Sequence, residues 1–137
     1  MGSINPLFGR SALIVEDEPL IALELHDALR ASGASILAAT TIKDALHLIA
    51  YAQICAAIVD VNLGDQDCSS VCAALARQSI PFMFYTGCST APSLTVWAGA
   101  PAVDKPAPSG KIVDTITRLV QPNTASVINR DDEIRRI

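Results

Sequence analysis

The stretch Ala12-Leu13-Ile14-Val15-Glu16-Asp17-Glu18-Pro19 decides the fold. Four apolar residues run without alternation and stop at three carboxylates. A proline then stands where the first turn of a helix tolerates it, because an N–H there would have no partner within the helix. So short an unbroken apolar run reads as a strand buried on both faces, as in parallel sheets. Behind Pro19, Ile21, Leu25, Ala28 and Leu29 recur at helical spacing, and Gly33 reads as the stop signal.

The same unit recurs along the chain. Ile36 to Ala39 is a second apolar run, and Thr41-Ile42-Lys43-Asp44 resembles a capping box opening a helix with Ile42, Ala45, Leu46 and Ile49 on one face. Ala56 to Val59 is the third run and ends at Asp60. Cys68, Val71, Cys72 and Leu75 form the helical stripe that follows it. Pro81 introduces a fourth run, Phe82 to Tyr85, ending at Thr86. A short fifth, Ala102 to Val103, ends at Asp104 and Lys105. Pro108 and Ser109 open a last helix carrying Ile112, Val113, Ile116, Leu119 and Val120, and Pro122 ends it. A strand–helix unit repeated about five times predicts an α/β domain: a doubly wound, five-stranded parallel sheet with helices on both faces. Between residues 87 and 101, Pro92, Gly99 and Pro101 leave room for one short helix, expected around Ser93 to Ala98.

Composition narrows the function classes. The 137 residues suit one domain, placed at 11–121, with an N-terminal extension at 1–10 and a polar tail at 122–137. A chain that is 50% hydrophobic and 18% charged is not disordered. Ten Lys+Arg against fourteen Asp+Glu leave a net charge of −4, without the basic footprint of a nucleic-acid binder. No run approaches the roughly 18 apolar residues of a membrane span, and Met1 to Arg10 lacks a secretory signal layout. A cytoplasmic setting is expected. In the tail, Asp131/Arg135 and Asp132/Arg136 have the spacing of helical ion pairs, but an unstructured tail is the expectation. Cys55, Cys68, Cys72 and Cys88 contain no Cys-x-x-Cys pair, and reduced thiols are the default. Cys68 and Cys72, four apart on a predicted helix, are expected to be small buried apolar residues rather than a metal or redox site.

In an open parallel sheet, ligands bind at the carboxyl ends of the strands. Here those ends deliver Glu16 and Asp17, then Asp60, Thr86 and Lys105. Three carboxylates on one rim repel each other unless something neutralises them. A hard cation bound by oxygen, Mg²⁺, is the simplest answer. A carboxylate can attack phosphorus and form an aspartyl phosphate. The metal offsets developing negative charge, lysine supplies a compact positive charge, and the threonine hydroxyl donates to another oxygen. One Asp after one strand would be an ordinary loop residue. The joint set points to phosphoryl transfer.

The segments Leu13-Ile14-Val15-Glu16-Asp17-Glu18-Pro19, Ile58 to Asp65, Phe84-Tyr85-Thr86-Gly87 and Asp104-Lys105-Pro106 resemble the response-regulator receiver domain of two-component signalling over roughly residues 10 to 121. That resemblance implies a flavodoxin-like receiver fold in a bacterial signalling protein. It implies Asp60 as phosphoacceptor and Mg²⁺ bound by Asp17, Asp60 and the backbone carbonyl of Asn62. Glu16 would act in the same pocket through a water, and Thr86 and Lys105 would contact the phosphoryl group. It also implies a cis Lys105–Pro106 bond. The phosphoryl source would be a sensor histidine kinase or histidine phosphotransferase, and the domain would turn over no separate substrate. Pro81 to Gly87 partly resembles a subgroup of single-domain receivers with a Phe-Ala-Thr-Gly motif and a loose or absent fourth helix. Here Tyr85 replaces the alanine, and Cys88 and Ser89 take the two positions after the glycine.

There are departures. Many receivers carry an aromatic switch residue three positions before the lysine, and here that residue is Ala102. Any conformational response must therefore use another element, with residues 87 to 99 the candidate. Trp97 reads either as an apolar anchor for a partner or as a partly buried core residue. His26 and His47 fall on predicted helices and are expected to be exposed rather than phosphodonors. No effector domain is expected after Pro122, so output would run through a downstream protein target or through a phosphoryl sink or shuttle. Three other classes compete. A haloacid-dehalogenase-type phosphatase would need an acid/base Asp where Asn62 stands. A flavin or nucleotide binder would need a glycine loop where Glu16-Asp17-Glu18-Pro19 stands. A degenerate receiver would never be phosphorylated, although the full residue set is present.

Overall fold

The structure, a computed structural model, describes residues 5–121. In chain order its elements are β1 (Ser11–Val15), α1 (Pro19–Ala31), β2 (Ser35–Ala39), α2 (Ile42–Tyr51), β3 (Ala56–Val59), β4 (Asn62–Leu63), β5 (Gln66–Asp67), α3 (Ser69–Arg77), β6 (Phe82–Thr86), α4 (Pro92–Val96), β7 (Ala102–Asp104) and α5 (Ser109–Val120). The five strands expected from the apolar runs form one parallel sheet in the order β2-β1-β3-β6-β7. The order reverses between β1 and β3, which opens a crevice at their carboxyl ends.

The central strands lack alternation because both faces of the sheet are covered. Leu13 and Val15 of β1 join Ala57, Val59 and Phe84 in a core packed by α2 and α3. Ala12 and Ile14 point the other way, into a core with Leu25 and Leu29 of α1 and Ile112 and Ile116 of α5. The edge strands β2 and β7 are only partly buried. Thr41 caps α2, its hydroxyl accepting the Asp44 N–H at 3.1 Å. Cys68 and Cys72 are fully buried, the Cys72 thiol donating to Cys68 Sγ at 3.7 Å. That is the expected packing role.

The fourth helix is a five-residue segment, Pro92–Val96, so proline and glycine shortened it as expected. Trp97 follows it, half-buried, its ring edge-on to Phe82 at 5.8 Å. His47 is exposed beside Tyr51, whereas His26 is only partly exposed. The β4–β5 hairpin was not expected. Gly64 turns it with φ +65, and strands of two residues are too short to leave a periodic signal.

The described part of the N-terminal extension packs onto the domain. Leu7 is 1% exposed, and its N–H donates to Ser32 O at 2.8 Å. Gly33 makes that approach possible. It has φ +98, and a Cβ there would meet Asn5 Cβ and the Phe8 backbone at 3.0 Å. Pro122 and the spaced charges Asp131/Arg135 and Asp132/Arg136 lie outside the described residues. Among the described residues no helix is long and apolar enough to cross a membrane.

Candidate functional site

The crevice between β1 and β3 collects the acidic residues. The backbone keeps its pairing just past each strand end: Glu16 N–H donates to Ala39 O and Asp60 N–H to Val15 O, both at 3.1 Å. These bonds fix Glu16, Asp17 and Asp60 side by side. Glu16, Asp17 and Asp60 each offer a carboxylate oxygen within 4.8 Å of the others. Glu16 and Asp60 are buried, and Asp17 is half-buried.

Lys105 reaches this cluster from the end of β7. Its Nζ lies 2.8 Å from Glu16 Oε1, 2.8 Å from Asp60 Oδ2 and 3.1 Å from Glu18 Oε1. Burial by itself would lower the pKa of the ammonium. The hydrogen bonds to Asp60, Glu16 and Glu18 outweigh it, so the pKa is raised and Lys105 stays charged. Burial pushes the Glu16 carboxyl above its ordinary value of 4.5, with the Lys105 and Glu18 N–H bonds opposing it.

The remaining expected residues line the same rim. Thr86 is buried at the end of β6. Its hydroxyl accepts the Cys88 N–H at 3.1 Å, and its carbonyl accepts the Lys105 N–H at 3.0 Å. Asn62 N–H faces Asp60 Oδ1 at 3.4 Å, which holds the chain after the aspartate against the pocket. The Lys105–Pro106 bond is cis, as the resemblance implies.

Three contacts escaped the sequence reading. Gly64 N–H donates to Asp17 Oδ2 at 2.7 Å, so the unexpected hairpin braces one carboxylate of the site. Glu18, read only as part of an acidic run, is an ion-pair partner of Lys105. Tyr85 OH accepts the Ala107 N–H at 3.0 Å, a contact between residues 22 apart that carries no local signal.

Among the described residues, the Lys105 ammonium pairs with Glu16, Glu18 and Asp60, and Asp17 adds a fourth carboxylate beside Glu16 and Asp60. The excess negative charge and the all-oxygen donor set fit a hard divalent cation such as Mg²⁺. An aspartate held between such a cation and a lysine can act as a nucleophile toward phosphorus.

Residues 12–117 match the family model described as the response regulator receiver domain. No curated protein matches the chain. Solved structures with the same fold include the non-phosphorylated HemR receiver domain from Leptospira biflexa, at 20% identity and TM-score 0.74 over 83% of this chain and 96% of that one. A CheY-like receiver domain protein from Methanospirillum hungatei JF-1 aligns at 22% identity and TM-score 0.73 over 81% of this chain and 93% of its own. The receiver domain of a sensor histidine kinase from Pseudomonas aeruginosa PAO1 has a magnesium ion coordinated in its active-site cleft. It aligns at 18% identity and TM-score 0.72 over 82% of this chain and 98% of that chain. At these identities the likeness is one of fold.

Proposed function

The chain belongs to the response regulator receiver domain family, and on that premise we propose that Asp60 accepts a phosphoryl group from a phosphohistidine of a sensor kinase or histidine phosphotransferase. The observation that carries this reading is the joint placement of Asp60 beside Glu16 and Asp17 on one side and the Lys105 ammonium on the other.

In the transfer, an Asp60 carboxylate oxygen forms a new O–P bond as the P–N bond of the donor histidine breaks. The imidazole nitrogen keeps the electron pair of that bond, and one PO₃ unit changes hands. Lys105, already 2.8 Å from Asp60 Oδ2, offsets the negative charge on the transferred oxygens. The Thr86 hydroxyl donates to another of them. Glu16, Asp17, Asp60 and the backbone carbonyl of Asn62 would hold Mg²⁺, Glu16 through a water. When bound, Mg²⁺ supplies the charge neutralisation that lets an anionic donor approach an anionic acceptor. The new phosphoryl contacts then bias the domain toward a second conformation that another protein reads.

Incubation of the protein with acetyl phosphate and Mg²⁺, followed by intact-mass measurement, tests the reading. One added phosphoryl group is expected with Mg²⁺ and none after chelation. No mass gain under either condition would overturn it.

A further inference from the structure

Tyr85 sits one residue before Thr86 and faces the opposite side of the sheet, in the core shared by α1 and α5. It is 4% exposed. Its ring lies under the Lys105 ammonium, with Nζ 5.8 Å from the ring centroid, within the range of a cation–π contact. Its hydroxyl accepts the Ala107 N–H at 3.0 Å. One side chain therefore touches the lysine itself and the backbone two residues beyond it.

The chemistry of the β7–α5 connection makes the second contact decisive. Pro106 and Pro108 have no N–H. Ala107 is thus the sole backbone donor between Lys105 and the first residue of α5, and Tyr85 OH is its partner. Below this connection a cleft of about 600 Å³, lined in part by Glu24, Ala28, Tyr85 and Pro108, leaves open space. Ala107 packs its methyl group against the core shared by α1 and α5, and the Tyr85 hydroxyl supplies the polar tether of the connection.

We propose that Tyr85 is a positioning residue for phosphoryl transfer, its hydroxyl holding the Pro106-Ala107-Pro108 connection so that the Lys105 ammonium points at Asp60. The proposal rests on the phosphoacceptor reading above. Its content is separate: Tyr85 hydrogen-bonds to Ala107 rather than to Asp60 or the metal-binding carboxylates, and acts through Lys105.

The test compares wild type, Tyr85→Phe, Lys105→Ala and the double variant, with acetyl phosphate as donor at saturating Mg²⁺. Tyr85→Phe keeps the ring and removes only the hydroxyl. It is expected to slow labelling about tenfold, the scale set by small misplacements of a reacting group, with the Mg²⁺ affinity unchanged and the thermal midpoint lowered by no more than the few degrees that one lost hydrogen bond costs. In the Lys105→Ala background the same change should have no further effect, since residues acting as one unit are non-additive. Lysine side-chain NMR gives a second readout that needs no activity. The chain has three lysines, Lys43, Lys105 and Lys111. In Tyr85→Phe the Lys105 signal should move toward the other two. Equal slowing in both backgrounds, wild-type labelling by Tyr85→Phe, or an unmoved Lys105 signal would overturn the proposal while leaving the phosphoacceptor reading standing. A wild-type protein that takes no label would remove both.

Discussion

Lys105 Nζ stands 2.8 Å from Asp60 Oδ2, so the Lys105 ammonium rests directly on the carboxylate proposed to be phosphorylated. The two residues lie 45 apart in sequence and directly follow β3 and β7, two strands separated by β6. The parallel topology brings their strand ends to the same rim.

That ion pair has a stability consequence. Lys105→Ala leaves Glu16 and Asp60 buried, adjacent and without their cation. In the metal-free protein the loss should be on the order of 3 kcal/mol, the usual cost of stripping one partner from a buried pair. Glu18→Gln removes an exposed partner of the same lysine and should cost no more than about 1 kcal/mol. Urea denaturation in the presence of a chelator distinguishes the two. Saturating Mg²⁺ should recover part of the Lys105→Ala loss. Equal costs for the two variants would show that the Lys105 contacts inside the crevice are no stronger than those at its surface.

Metal binding should depend on pH through Glu16. Its folded pKa is raised above 4.5, chiefly by burial. As the pH falls, Glu16 takes up a proton before an ordinary glutamate would, and a protonated carboxyl no longer offers its negative charge to a cation or to the water between them. Mg²⁺ affinity should therefore weaken with acidification while the pH is still above 4.5, and Glu16→Gln should flatten that part of the profile. The stability linkage of the metal-free protein runs the opposite way along the pH axis. A raised folded pKa contributes stability that is fully present below the unfolded value and is lost as the pH rises through the folded one. Calorimetric titration with Mg²⁺ from mildly acidic to neutral pH checks the first expectation. An unchanged slope in Glu16→Gln would contradict it.

The packing of Leu7 makes residues 5–10 part of the folded unit. Leu7→Ala should cost about 2–5 kcal/mol, the range for a buried leucine. Gly33→Ala should destabilise by more than about 1 kcal/mol, because it combines positive φ with a 3.0 Å approach to the Phe8 backbone. Truncation before Ser11 should lower the unfolding free energy by a similar amount. A truncated protein as stable as the full chain would refute the packing.

The sheet was legible because its strands are short, apolar on both faces and closed by polar residues. Val15-Glu16, Val59-Asp60 and Tyr85-Thr86 mark their own ends. The same boundaries exposed Asp17, Asp60, Thr86 and Lys105, since a topology that aligns strand ends also aligns the residues that follow them. What stayed hidden was non-local or too short to have a period. Leu7 is a single leucine between Pro6 and Phe8, and its burial depends on the turn at Gly33. The Gly64 N–H meets Asp17 across 47 residues. Tyr85 reads as one more apolar residue of a strand until the partner of its hydroxyl is seen. Glu18 is exposed, and an exposed carboxylate in an acidic run does not announce which lysine it will meet.

The most direct test of the central claim is the intact mass of Asp60→Asn beside wild type after acetyl phosphate and Mg²⁺. The substitution keeps the shape of the side chain and removes the nucleophilic carboxylate. Wild type should gain one phosphoryl group and Asp60→Asn none. Undiminished labelling of Asp60→Asn would mean that another residue accepts the phosphoryl group, and the account of this crevice would be wrong.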